Sequence, residues 1–373
     1  MPTKRASNEA KKPEVPAKPG ETAPSVPKPL KWHSPMEAPF RLAGFAWFKV
    51  DRLYRRLPLH PIEKLPQSVD SLANCTAGGQ IRFQAVTSRL SVKVRLNGVA
   101  DMNHMPATGQ CGFDCYLGPT LRQRYCSTTK YDHRQSTYTC TLFELPRAEK
   151  FNVTLNFPLY RAVEEVHVGL DEGAEVLPPP PYENDGRVIV YGTSITQGGC
   201  ASRPGMAYTN ILSRRFNREF INLGFSGSGR GEPEVAKTMA EIANPGLFVL
   251  DYEGNCESTE RLRESFPEFI RILREAHPRV PILAVSRIPF AVELINDAAF
   301  ALRLERKVLE RETVDSLRAA GDGLVHFLDG STLLGEDFDE CTVDGVHPCD
   351  LGFMRIADGL TPVLRKILDE FRA

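Results

Sequence analysis

A run of four prolines, Pro178–Pro181, divides this chain into two stretches whose apolar residues keep different periods. Consecutive prolines hold the backbone extended and stiff, and neither a helix interior nor a central strand runs through them. Residues 176–186 are therefore read as a linker. The chain has 373 residues, more than the roughly 250–300 over which a single core usually grows, so the linker is expected to join two domains.

Upstream, residues 31–175 keep the two-residue period of half-buried strands. Leu90, Val92, Val94 and Leu96 alternate strictly, and Ile81, Phe83 and Ala85 precede them after Gly78-Gly79. Asn97-Gly98 then reads as a hairpin turn. Thr137 to Phe143, Phe151 to Phe157 and Val163 to Val168 add further short strands. This spacing predicts a β-sandwich, or jelly roll. Its leading segment, residues 31–70, carries Trp32, Phe40, Phe45, Trp47 and Phe48 at irregular intervals, which fits packing on the body of the protein better than an amphipathic helix on a membrane. Residues 1–30 are rich in Lys, Pro, Ala, Glu and Ser and bury too little apolar surface to offset ordering; they are expected to be a disordered tail.

Downstream, residues 187–373 alternate short apolar runs with helical stretches. The runs are Val188–Tyr191, Phe220–Leu223, Leu247–Leu250, Pro281–Val285 and Leu324–Leu328. Helices are expected near 206–216, 233–243, 258–276, 296–319 and 351–371. The pattern predicts an α/β domain: a five-stranded parallel sheet between two helical layers.

Charge narrows the partners. Lys and Arg number 46 against 47 Asp and Glu, so no nucleic-acid partner is expected. The local run Arg52, Arg55, Arg56 reads as a solvated face. No stretch is long and apolar enough for an integral membrane span, and the polar N-terminus shows no secretory leader, which predicts a cytoplasmic protein. Nine cysteines, an odd number, fit free thiols in a reducing compartment, with bridges among Cys111, Cys115, Cys126 and Cys140, which fall in one segment, as the alternative in an oxidising one.

In a parallel sheet, sites form at the carboxyl ends of the strands. The first strand is followed by Gly192-Thr193-Ser194-Ile195-Thr196, the second by Gly224-Phe225-Ser226-Gly227-Ser228, the third by Asp251-Tyr252-Glu253-Gly254-Asn255 and the fourth by Ser286-Arg287; Asp344-Gly345-Val346-His347 precedes the last helix. The first loop lacks the Lys-Ser/Thr end of a phosphate loop and the spacing of a dinucleotide fingerprint. A serine becomes a useful nucleophile when a base takes its proton, and the base needs a carboxylate to hold its tautomer. Ser194, His347 and Asp344 supply that chemistry. The N–H groups of Ser194 and Gly227 and the amide of Asn255 can face a developing oxyanion. Asp251 and Arg287 are candidate substrate contacts, with loop hydrogen bonds or an ion pair as the simpler reading. Cys200, Cys256, Cys341 and Cys349 flank His347, but Cys-Xaa5-His-Xaa-Cys is no standard zinc spacing, so no metal and no cofactor are expected.

This constellation resembles the SGNH, or GDSL-like, hydrolase family, whose Ser, Gly, Asn and His occur in four ordered blocks. The matching residues are Ser194, Gly227, Asn255 and His347, with the family's aspartate at Asp344. The resemblance covers about residues 187–373 and implies a three-layer, flavodoxin-like fold. Gly-Thr-Ser-Ile replaces Gly-Asp-Ser-Leu in the first block. Gly112-Phe113-Asp114-Cys115-Tyr116 is similar to the Gly-Xaa-Asp-Leu-Tyr signature of a β-sandwich that precedes some members, with Cys115 in place of leucine; Asp114 and Tyr116 reach over the pocket or, more simply, stabilise the fold. The resemblance implies a serine esterase acting on a short acyl group, such as acetyl, of a carbohydrate or another small polyol. Acyl transfer by the same triad, and carbohydrate binding without catalysis, are the alternatives.

Overall fold

The computed structural model describes residues 29–372. The expected N-terminal tail lies outside the described residues except for its last two, and Leu30 already belongs to a strand.

The N-terminal domain is one antiparallel sheet of eight strands: β1 (Leu30–His33), β2 (Arg41–Ala43), β3 (Gln80–Leu96), β4 (Asp114–Leu117), β5 (Arg124–Thr128), β6 (Thr137–Asn156), β7 (Val163–Asp171) and β8 (Glu175–Leu177). They run in the order β1-β7-β3-β6-β4-β5, with β2 and β8 also on β3. The register of β3 against β6 shifts between Thr87 and Arg89. Such an irregularity moves the inward face by one residue. Before it the buried residues are odd-numbered (Ile81, Phe83, Ala85); beyond it they are even-numbered (Leu90, Val92, Val94, Leu96), and all share one core. The two halves of β3 and β6 thus enclose a sandwich-like core, and the pairing skips residues 145–148 of β6 where the register shifts. Three short helices, α1 (Phe48–Asp51), α2 (Gln67–Leu72) and α3 (Ala107–Gln110), lie in the connections.

Two local expectations fail. Asn97-Gly98 makes no hairpin: the Asn97 N–H donates to Ala162 O, its side-chain oxygen accepts from Ala162 N–H at 3.1 Å, and the chain runs on toward α3. The run of arginines is only partly solvated. Arg55 and Arg56 are buried; Arg56 donates to the carbonyls of Leu72 and Gly224 and lies 4.6 Å over the Phe225 ring. Buried carbonyl oxygens at loop ends need donors, and a guanidinium serves several at once.

The proline run is tied to both sides. Arg82 donates to Pro180 O and Asn217 to Pro181 O, and buried Tyr182 stacks beneath Arg82 at 3.8 Å.

The second domain has five parallel strands, β9 (Arg187–Gly192), β10 (Phe220–Gly224), β11 (Pro245–Asp251), β12 (Ile282–Val285) and β13 (Val325–Leu328), in the order β10-β9-β11-β12-β13. Its helices are α4 (Ser194–Gln197), α5 (Tyr208–Phe216), α6 (Pro233–Ala240), α7 (Thr259–Ala276), α8 (Asp297–Ala319) and α9 (Asp350–Arg372). Ser258 and Asn296 cap α7 and α8 with their side-chain oxygens, the role such residues favour. Alternate strand residues face opposite layers. Val188, Val190, Val249 and Val285 pack with α5 and α9; Ile189, Tyr191, Phe248 and Ala284 pack with α6, α7 and α8. Both layers take in residues from the other domain: Met105, Leu159 and Tyr160 join the first, and Leu57, Leu65 and Val69 the second.

Candidate active site

The carboxyl ends of β9, β10, β11 and β12 open on a cavity of about 320 Å³. Thr193 leaves β9 extended and caps α4, its hydroxyl accepting from Ile195 N–H, so Ser194 starts the helix at the cavity mouth. Ser194 Oγ is 2.9 Å from His347 Nε2. His347 Nδ1 is 2.8 Å from Asp344 Oδ2, while Asp344 Oδ1 accepts the backbone N–H groups of His347 and Val346. One carboxylate thereby shapes the loop and holds the ring. Burial pulls the Asp344 carboxyl upward, but these hydrogen bonds outweigh it and leave its pKa below the ordinary value. The imidazole packs against Gly199, where a Cβ would fall 3.2 Å from His347 Cδ2 and 2.7 Å from the Tyr160 hydroxyl; glycine is what lets the ring approach.

Gly227 and Asn255 border the same cavity. Gly227 has φ +65, a backbone glycine adopts without penalty. Among the described residues nothing accepts from the N–H of Ser194 or of Gly227. Asn255 Nδ2 gives one hydrogen bond to Phe225 O at 3.2 Å, which fixes the amide and leaves its second N–H. The geometry is one in which a hydroxyl can pass its proton to an imidazole and attack a carbonyl whose oxygen turns toward these donors.

Asp251 sits at the base of the cavity, where its Oδ2 accepts from Tyr208 at 3.0 Å and Thr196 at 3.1 Å. Burial raises its pKa to about 7 against the pull of these hydroxyls. Arg287 borders the cavity, but its guanidinium is engaged elsewhere: it pairs with Glu293 at 2.7 Å and Glu253 at 3.5 Å and lies 4.2 Å over Phe290. Arg303 closes this buried chain on Glu293. The chain was invisible in the sequence because Glu293 and Arg303, like most charges in and around helices, read as a solvated surface.

Asp114 and Tyr116 do not border the cavity. Asp114 is wholly buried and accepts from Asn156, Arg203 and the Gly205 N–H, while the Tyr116 hydroxyl accepts from Arg203. All nine cysteines are free. Among the described residues, Cys256, Cys341 and Cys349 do not join His347 in a set of possible metal ligands; Cys200 and His347 meet His104, a residue that no sequence signal singled out. Part of the cavity wall was missed too: Leu333, Ile356 and Leu360 come from the β13 loop and α9.

Residues 185–365 match the GDSL-like lipase/acylhydrolase family, and residues 30–176 match the domain that forms the N-terminus of SGNH hydrolase-type esterases. The chain thus carries a GDSL-like lipase/acylhydrolase domain behind a GxDLY domain, the architecture of an SGNH-type esterase. A Bacteroides ovatus protein described as a GDSL-like lipase is similar over 91% of this chain and 98% of its own, with 28% identity and a TM-score of 0.84. The salicylyl-acyltransferase SsfX3 of a tetracycline biosynthetic pathway shares the fold over 91% of this chain and 97% of its own, at 20% identity and a TM-score of 0.72. A family two carbohydrate esterase from Cellvibrio japonicus shares it over 91% and 98%, at 14% identity and a TM-score of 0.60. Among curated proteins, none matches the sequence.

Proposed function

We propose that the protein hydrolyses carboxylic esters through Ser194, with His347 as base and Asp344 as its orienting carboxylate. The observation that carries this reading is the hydrogen-bonded series from Ser194 Oγ through His347 to Asp344, at 2.9 and 2.8 Å, at the mouth of a cavity. In the reaction Ser194 Oγ attacks the acyl carbon as its proton passes to His347 Nε2. The oxyanion is held by the N–H groups of Ser194 and Gly227 and by Asn255. His347 protonates the leaving alcohol, and water then releases the acid by the reverse sequence.

The inner wall, with Val249, Val285, Ile288, Leu333, Ile356 and Leu360, suits a short apolar acyl group such as acetyl. The alcohol is then a carbohydrate or another polyol at the open side, in keeping with the carbohydrate esterase among the structural neighbours. Acyl transfer to a second alcohol uses the same residues, and the acyltransferase neighbour keeps it as the second reading.

The test is labelling by a fluorophosphonate probe, with the adduct mapped by peptide mass spectrometry, beside hydrolysis of a series of 4-nitrophenyl esters of increasing acyl length. An adduct on Ser194 that is lost in Ser194→Ala and His347→Ala, with turnover falling in parallel, supports the reading. A folded protein that is neither labelled nor active refutes it.

A further inference from the structure

His347 has two neighbours that hydrolysis does not use. One ligand atom each from His104, Cys200 and His347 lies within 4.8 Å of the other two. The His104 and His347 rings are 5.8 Å apart. The three residues come from separate segments: the loop after β3 in the N-terminal domain, the turn after α4, and the loop before α9.

We propose that His104, Cys200 and His347 form an inhibitory site for a divalent transition metal of the zinc type, which blocks the enzyme by occupying its base. The inference rests on the reading of His347 as that base. Two imidazoles and a thiol make a donor set suited to Zn²⁺, with water completing a tetrahedron. Asp344 already holds Nδ1 at 2.8 Å, the carboxylate–histidine arrangement that aims the other nitrogen at a metal and raises its basicity. Nε2, the nitrogen facing Ser194, is therefore the ligand. Asn103 Oδ1 stands 3.2 Å from His104 Nδ1 and serves that ring in the same way.

Cys200 is buried, and its backbone has φ +73, a region where a residue with a Cβ is uncommon and glycine or asparagine is at ease. A thiol is thus held beside His347 at a position the backbone would sooner give to glycine. Ligand atoms of a tetrahedral zinc site lie about 3.3–3.8 Å apart, so small side-chain rotations close the set by about 1 Å. On binding, three metal–ligand bonds replace bonds from the ion to water, the Cys200 thiol proton leaves to solvent, and the hydrogen bond between Ser194 Oγ and His347 Nε2 is lost. No oxidation state changes.

The experiment uses the full chain after treatment with a chelator. Zn²⁺ is titrated calorimetrically into the wild type, Ser194→Ala, His104→Ala and Cys200→Gly, the last chosen to suit the local backbone. Co²⁺ is titrated in parallel and followed by its visible absorption and thiolate charge-transfer band. The expected result is one ion per chain in the wild type and Ser194→Ala, at least tenfold weaker binding in His104→Ala and Cys200→Gly, and no charge-transfer band in Cys200→Gly. Hydrolysis of 4-nitrophenyl acetate by the wild type should fall with metal occupancy and return with EDTA, while His104→Ala stays active at tenfold higher Zn²⁺. Absence of saturable binding, or binding that His104→Ala leaves unchanged, overturns the site. Binding that depends on both residues in a protein without esterase activity keeps the site but removes its inhibitory role together with the function proposed above.

Discussion

Asp114 in the N-terminal sheet and Arg203 in the loop before α5 form an ion pair at 2.9 Å, with the Asp114 side chain wholly buried and that of Arg203 17% exposed. The same carboxylate takes the Gly205 N–H, and the Tyr125 ring lies 3.8 Å from the guanidinium. The aspartate of the Gly-Xaa-Asp signature therefore fastens one domain to the other. Removing Arg203 leaves a buried carboxylate without its cation, a change that costs about 3–5 kcal/mol for buried pairs. Arg203→Ala is expected to lower the unfolding free energy from denaturant titration by an amount near the lower end of that range, and a double-mutant cycle with Asp114→Asn should show strong coupling. Additive losses would mean that the two side chains act independently.

In the proposed mechanism, Asp344 holds one tautomer of His347. Asn in its place keeps an oxygen for the loop N–H groups but can present its NH₂ to the ring. The expected result for Asp344→Asn is a fall in kcat of about 10³–10⁴-fold with the fold intact by circular dichroism. A tenfold effect or less would mean that the carboxylate shapes the loop and does little for the ring.

In the proposed mechanism, Asn255→Ala removes one oxyanion donor while Ser194 and Gly227 keep theirs. Such a deletion lowers kcat by about 10²–10³-fold, and KM for a 4-nitrophenyl ester should change little. An effect confined to KM would place Asn255 in ground-state binding instead.

Asp251 makes stability depend on pH. Burial raises its carboxyl from an ordinary 3.8 to about 7 in the folded protein, so the folded state holds this proton more tightly than the unfolded one. The stabilisation is complete below about pH 4 and is lost as pH rises through 7, by on the order of 4 kcal/mol at most. Asp251→Asn should gain stability relative to the wild type between pH 5 and pH 8, measured as urea midpoints at both values. Parallel pH profiles for the two proteins would show that Asp251 keeps an ordinary pKa.

Much of the fold was legible because it depends on local rules. Val188–Tyr191 and Leu247–Leu250 read as buried parallel strands since both their faces are covered, and the helices expected near 258–276 and 296–319 are α7 and α8. Ser194, Gly227, Asn255, Asp344 and His347 were singled out because each follows a strand or precedes a helix at the sheet edge where sites form. Illegible features depend on contacts between distant segments. Asn97-Gly98 looked like a turn, yet Ala162 takes its hydrogen bonds. Arg56 looked solvated, yet it supplies the donors that Leu72 and Gly224 need. His104 carries no signal, because only the packing of the two domains brings it beside His347.

That packing also bears on how the molecule can be cut. A cloning primer placed at the proline run would honour the boundary in the sequence and miss the one in the folded protein. Met105, Leu159 and Tyr160 fill one helical layer of the second domain, and Leu57, Leu65 and Val69 fill the other. A fragment starting at residue 187 would expose both patches to water and take the Tyr160 hydroxyl away from the Ser194 carbonyl. For shuffling, truncation or fusion, the exchangeable unit is the pair of domains, β1 at Leu30 included.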